Sequence, residues 1–306
     1  MLLFFCNRNR CGKLLTMNKN RLLIALALNE KVRIYLADTT EMVEEARLLH
    51  HMYPTSLAAL GRTLSMTSLM GVMMKGENEK VTVTINGGGE IGTVMAVANS
   101  KGEVKGFVSN NEIYKTYPNT HKLAVGEAVG TNGTLSVIKQ LNMKANFSSS
   151  VALQSGEIGD DFAYYFGISE QRPSIVSLGV LVDTDGSTKK AGAFFVELLP
   201  GYSEEEVTAL EKVAEDMQPI SKLLADGLSL EEIINLYFDD AHILEEKNLC
   251  YNCDCSHERF KEGLLTLPKK DLEELKEENE IVVRCDFCEK EYHFTKEEIK
   301  ELYDKH

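Results

Sequence analysis

The stretch Arg21–Asp38 reads "RLLIALALNEKVRIYLAD", two apolar runs separated by Asn29-Glu30-Lys31. Its first half follows a basic segment and has the look of a weak secretory signal. The run is short, however, lacks a small-residue cleavage pattern, and resumes beyond the interruption as a second, alternating run. This pattern predicts a β-hairpin, which makes the start of the fold part of a sheet.

Further hairpins follow. Val81–Ile85, "VTVTI", alternates apolar residues with threonine, the period of a half-buried strand. The glycine-rich "NGGGEIG" leads into "TVMAVANSKGEVKGFVS", and "GVLVDTDGSTKKAGAFFVELLPG" repeats strand, Asp-Gly turn, strand. A helix is expected over roughly 41–51, and a longer one after Pro54. The latter contains Arg62 and several hydroxyls, which argues against a membrane span. The expectation is an α+β protein with a mixed α/β core over 17–202. The sixteen residues before Met17 are read as an extra, disordered segment, which leaves open whether translation starts at Met1 or Met17.

"PGYSEEE" marks the end of the core. Ser203 and Glu206, and again Ser229 and Glu232, have capping-box spacing, each ahead of an amphipathic stripe. Val207, Leu210, Val213 and Met217 form the first stripe; Leu230, Ile233, Ile234 and Tyr237 form the second. Residues 203–248 are thus read as a helical linker whose stripes pack on the core. It carries 3 Lys/Arg against 13 Asp/Glu, in a chain of net charge −14. Residues 249–306 add 10 against 16. So acidic a region has little means of neutralising phosphates, which weighs against nucleic-acid binding.

The chain has seven cysteines, and five lie in two short stretches, "LCYNCDCSHERF" (249–260) and "RCDFCEKEYHF" (284–294). An odd number clustered at one end of a 306-residue chain points to reduced, metal-binding or redox-active thiols rather than a disulfide framework. Two short-spaced pairs can present four thiolates to one Zn²⁺. Cys285 and Cys288 are one pair. Spacing alone leaves the other open between Cys250-x-x-Cys253 and Cys253-x-Cys255. His257 and His293 are read as lying outside a ligand set that sulfur already completes. Residues 249–306 hold few apolar side chains, and a segment of that kind rarely folds without a staple.

Together these motifs resemble the 33-kDa chaperonin family, redox-regulated heat-shock chaperones of the bacterial cytosol. The resemblance runs from Met17 onward through "TTEMVEEARLLHHMYPTSLAALGRTLSMTSLMG", "VTVTINGGGEIG", "GEVKGFVSN", "SGEIGDDFAYYFGISEQRPS" and "GVLVDTDGSTKKAGAFFVELLPG" to the cysteine stretches. It implies a C-x-C plus C-x-x-C ligand set of Cys253, Cys255, Cys285 and Cys288 on one zinc ion, with Cys250 spare. It further implies an ATP-independent holdase of the cytoplasm. That holdase is inactive while reduced and zinc-bound. It is activated when the four cysteines oxidise to disulfides, each sulfur condensing with its neighbour, zinc leaves and the C-terminal region unfolds. The implied partners are unfolding client proteins and, when oxidised, a second copy of the chain, with neither nucleic acid nor membrane. The roles of Cys6, Cys11 and Cys250 stay open.

Two other classes compete. A thiol oxidoreductase would use Cys285-x-x-Cys288, which in such enzymes opens a helix beside a strand. A zinc-ribbon nucleic-acid binder would use the aromatics Phe287, Tyr292 and Phe294. Three further features invite an enzyme reading and are assigned to structure instead. "NGGGEIG" is read as a turn, not a phosphate cradle. Glu157, Asp160 and Asp161 are read as part of a capped helix burying Ile158, Phe162, Tyr165 and Phe166. Met66, Met70, Met73 and Met74 are read as core rather than client surface. No catalytic site is expected.

Overall fold

The computed structural model describes residues 20–141 and 146–305. The segment before Met17, with Cys6 and Cys11, lies outside them. The described chain divides into two compact units, one ending at Tyr251 and the other starting at Asn252.

The first unit opens with the expected hairpin, β1 (Arg21–Ala27) and β2 (Val32–Asp38), followed by helices α1 (Thr40–His50) and α2 (Pro54–Val72). A meander of β3 (Lys80–Asn86), β4 (Thr93–Asn99) and β5 (Glu103–Val108) comes next, then the short α3 (Val125–Val129). Strands β6 (Thr134–Gln140) and β7 (Phe147–Ala152), helix α4 (Gly159–Ile168) and the hairpin β8 (Ser174–Val182)–β9 (Thr188–Leu198) complete the core. The linker supplies α5 (Glu204–Asp216), α6 (Ile220–Ala225), α7 (Leu230–Tyr237) and β10 (His242–Asn248), and the short β11 (Cys250–Tyr251) follows it. Two sheets result, ordered β10-β1-β2-β9-β8 and β11-β5-β4-β3-β6-β7.

Helix α2 is buried on nearly every side and packs against both sheets. Several of its hydroxyls turn back onto the helix: Thr63 Oγ1 donates to the Ala59 carbonyl at 2.9 Å and Ser65 Oγ to that of Gly61 at 2.7 Å. Internal satisfaction of this kind lets a polar-dotted helix serve as core. Among the described residues no helix is long and apolar enough to cross a membrane. Met66 and Met70 are buried in the same core, as expected.

The first sheet is covered on both faces. Leu22, Ile24, Tyr35, Ala37 and Phe195 face α1 and α2. Leu23, Ala25, Ile34, Leu36, Phe194 and Val196 face a second cluster, filled from the linker by Leu210, Ile220, Leu223, Leu224, Leu230, Ile233, Ile234 and Phe238. Strands sandwiched in this way read as nearly continuous apolar runs, which is why Arg21–Leu28 resembles a signal segment. Both capping boxes form: Ser203 N donates to Glu206 Oε2 at 2.6 Å, and Ser229 N to Glu232 Oε2 at 2.8 Å.

The linker is not helical throughout. Its last residues, His242–Asn248, form β10, an edge strand antiparallel to β1. Leu249 and Tyr251 are buried in the first unit, so the second begins three residues later than the expected boundary at 249. The segment "HILEEKN" has no strong strand signal of its own; main-chain pairing to a partner more than 200 residues away decides its state. Side chains reinforce the pairing. Arg21 donates to Glu246 Oε1 at 2.7 Å and to Glu231 Oε1 at 2.8 Å. Asp240 accepts from the Leu28 and Asn29 N–H groups at 3.0 and 2.9 Å. It thereby holds a β1–β2 turn in which Leu28, Asn29 and Glu30 all have positive φ, a conformation that asparagine tolerates and that is uncommon for leucine and glutamate.

In the second unit, α8 (His257–Leu264) and α9 (Lys269–Leu275) precede the hairpin β12 (Glu280–Arg284)–β13 (Glu291–Thr295) and α10 (Lys296–Lys305). Its core is small: Phe294, Ile299 and Leu302, with Leu272 also buried.

Candidate metal centre

Cys253 and Cys255 lie in the irregular segment between β11 and α8. Ser256 caps α8, its Oγ accepting from the Arg259 N–H at 3.3 Å, and Arg259 pairs with Asp254 at 2.6 Å. Asp254 is thereby held to the helix while the cysteines on either side turn inward. Cys285 and Cys288 sit on the tight turn between β12 and β13. There the N–H groups of Cys288 and Glu289 both donate to the Cys285 carbonyl, at 3.2 and 2.8 Å. Glu289 completes the turn at φ 59° and forms an ion pair with Arg284.

These two loops bring four sulfurs together, all mutually within 4.8 Å. Cys253 Sγ is 3.8 Å from Cys285 Sγ, and Cys255 Sγ is 3.2 Å from Cys288 Sγ. Four sulfurs at about 2.3 Å from a tetrahedral zinc stand about 3.8 Å apart, so the donor set fits that ion in number, chemistry and spacing. The backbone N–H groups of Phe287 and Lys290 donate to Cys285 and Cys288. Tyr292 Oη lies 3.0 Å from Cys255 Sγ.

Charge cannot spread freely over such a group. The hydrogen bond to Cys253, aided by Cys288, holds the Cys285 thiol well below the usual thiol range, while Cys253 and Cys285 push Cys288 far up. Without a cation the thiols ionise one at a time, and a divalent ion is what allows four thiolates to coexist. Burial, then the hydrogen bond to Cys255, keeps the Tyr292 hydroxyl protonated far above its ordinary range.

The other sequence candidates lie elsewhere. Cys250 is in β11, paired with Glu103, and is not one of the four. His257 stacks on Phe294 and meets the His293 carbonyl at 3.1 Å, and His293 pairs with Glu280 at 2.9 Å; neither joins the sulfur group. Phe294 is fully buried and Tyr292 packs on Phe260 with centroids 4.9 Å apart, so these two rings do not form an open stacking platform. The Cys285–Cys288 turn joins two strands and opens no helix, unlike the oxidoreductase arrangement. Glu157 is bound to Arg62 at 2.6 Å, Tyr117 at 2.7 Å and the Gly126 N–H at 3.0 Å. Asp161 caps the start of α4, and Asp160 accepts from Ser155. In "NGGGEIG", side chains on Gly87 and Gly89 would collide with backbone carbonyls around α3, so close packing explains those glycines. Tyr292, whose only sequence signal is an aromatic four residues after Cys288, joins the centre through Cys255.

The family described as Hsp33 protein matches residues 20–295. The chain belongs to the Hsp33 family. The 33 kDa chaperonin of Bacillus pumilus (strain SAFR-032) is 45% identical over 280 residues, covering 91% of this chain and 96% of the relative. That of Bacillus subtilis (strain 168) is 45% identical over 282 residues, covering 92% and 97%. The crystal structure of the 33 kDa chaperonin from Thermotoga maritima superimposes with a TM-score of 0.85 at 35% identity, covering 94% of this chain and 98% of that one. The Hsp33 assignment places this chain among chaperones and agrees with its α+β architecture and C-terminal cysteine cluster.

Proposed function

We propose that this chain is a redox-regulated, ATP-independent holdase of the cytoplasm that binds unfolding proteins and keeps them from aggregating. The observation that carries the reading is four thiols within 4.8 Å of one another in a unit with a very small apolar core. Bound to Cys253, Cys255, Cys285 and Cys288, a Zn²⁺ ion would neutralise the thiolates and supply on the order of 10–16 kcal/mol of folding free energy to residues 252–305.

Thiolates are the form that oxidants attack. Peroxide converts one cysteine of a pair to a sulfenic acid, releasing water. The neighbouring thiol displaces the second water and closes a disulfide, so two sulfurs give up two electrons and the peroxide takes them. Cys253 pairs with Cys255, and Cys285 with Cys288. Disulfide sulfurs are poor ligands, so the oxidised pairs no longer hold the ion and residues 252–305 lose their main stabilisation.

Unfolding there leaves β11 and β10 as a frayed end of the first unit. Withdrawal of the linker uncovers its own stripes together with the sheet face of Leu23, Ala25, Ile34, Leu36, Phe194 and Val196. An apolar surface of that extent suits extended, unfolding clients or a second oxidised copy of the chain. The acidic outer faces of α5 and α7 keep the open form soluble.

The test is aggregation of a thermally unfolding protein in the presence of the reduced, zinc-loaded chain or the peroxide-treated chain, with metal release followed in parallel. Protection by the oxidised form alone is expected. Equal protection by both forms refutes the switch, and protection by neither refutes the chaperone.

A further inference from the structure

The four sulfurs do not have equivalent surroundings. Cys285 and Cys288 receive backbone N–H groups from their own turn, which no substitution short of proline removes. Cys255 instead faces a side chain: Tyr292 Oη, 3.0 Å from its Sγ. A thiolate has no proton to give, so in the ionised centre the phenol is the donor.

Packing holds that hydroxyl in place. Tyr292 and Phe294 stand on one face of β13, and α8 clamps both: Phe260 lies 4.9 Å from the Tyr292 ring and His257 stacks 4.3 Å from Phe294. Helix α8 begins two residues after Cys255. The same clamp therefore fixes both the ring that carries the hydroxyl and the segment that carries the sulfur. For packing alone, phenylalanine would serve at this position, as Phe294 does two residues on. The hydroxyl is the part that packing leaves unexplained.

We propose that Tyr292 is a positioning residue of the metal centre, whose hydroxyl shares the negative charge on Cys255, aims that sulfur at the ion and slows its attack on oxidants, so that Tyr292 sets the oxidant level at which the centre opens. This role rests on the four cysteines holding a metal ion. A hydrogen bond to a ligating atom stabilises the bound state and draws electron density from sulfur, which lowers its nucleophilicity.

The decisive comparison is among full-length wild type, Tyr292→Phe and Tyr292→Leu. Zn²⁺ affinity is read by chelator competition, and each cysteine's oxidation rate by peroxide quenching and mass mapping. Tyr292→Phe should bind Zn²⁺ about tenfold more weakly and, saturated with Zn²⁺, oxidise Cys255 several-fold faster, with the initial rates at Cys285 and Cys288 unchanged. Tyr292→Leu, which also loses the ring, should speed oxidation of all four. Identical affinity and Cys255 rate in Tyr292→Phe and wild type would overturn the role of Tyr292 and leave the metal switch standing. A wild type that retains no Zn²⁺ overturns both. If Tyr292→Phe does not fold, ¹¹³Cd-loaded wild type decides by NMR. A Tyr292 hydroxyl proton scalar-coupled to the cadmium supports the role, and one exchanging freely with water overturns it.

Discussion

The linker's grip on the first sheet can be weakened one side chain at a time. Ile233 is fully buried, midway along α7, in the cluster formed with Leu23, Ile34 and Phe194. Ile233→Ala deletes apolar atoms in a site closed on both sides, so the cost lies within the 2–5 kcal/mol range for such truncations, and about 3 kcal/mol is a fair central value. If α5–α7 open as a unit of their own, that loss raises the open population roughly a hundredfold. Hydrogen exchange by mass spectrometry on the reduced, metal-loaded protein reads this directly in peptides from 203–238. The control is Val137→Ala in β6, on the other sheet, which costs roughly 2 kcal/mol but touches nothing in the linker cluster. Ile233→Ala should lower protection in α5–α7 and give the reduced protein partial activity against aggregation. Val137→Ala should lower protection in β3–β6 and leave α5–α7 as they were. If Val137→Ala deprotects α5–α7 as much as β3–β6, the linker opens only with the whole unit and the proposed route to an apolar surface fails.

Metal removal, by a chelator or by Cys285→Ser, should make residues 252–305 protease-sensitive and abolish their helical circular dichroism; a stripped tail that stays compact refutes the latch. Peptide mapping after peroxide treatment should find Cys253–Cys255 and Cys285–Cys288 bridges; predominant bridging of Cys253 to Cys285 or Cys288 contradicts the neighbour-pairing scheme. Burial alone would raise the Glu157 carboxyl, but Arg62, Tyr117 and the Gly126 N–H hold it below its ordinary value of 4.5. Its stabilising contribution is therefore complete above that value and fades as the pH falls through the lowered one. Urea titrations of wild type and Glu157→Gln should differ at pH 7 and converge in acid; a gap independent of pH shows that the Arg62 pair is not its source.

Much of this protein could be read locally. The hairpins, the two capping boxes, the burial of Ile158, Phe162, Tyr165 and Phe166 and the clustering of short-spaced cysteines all follow from patterns within a few residues, because caps, turns and amphipathic periods are short-range physics. Tertiary structure decided the rest. Arg21–Ala27 conceals its alternation because helices cover one face of its sheet and the linker covers the other. His242–Asn248 becomes a strand only because β1 offers it an edge. The spacing of Cys250, Cys253 and Cys255 leaves two candidate pairs, and the chain path puts Cys250 in β11 beside β5 and brings Cys253 and Cys255 to the other loop. The meeting of Tyr292 with Cys255, 37 positions apart, depends on how α8 packs on β13, and no local pattern encodes a contact between side chains that the fold alone brings together.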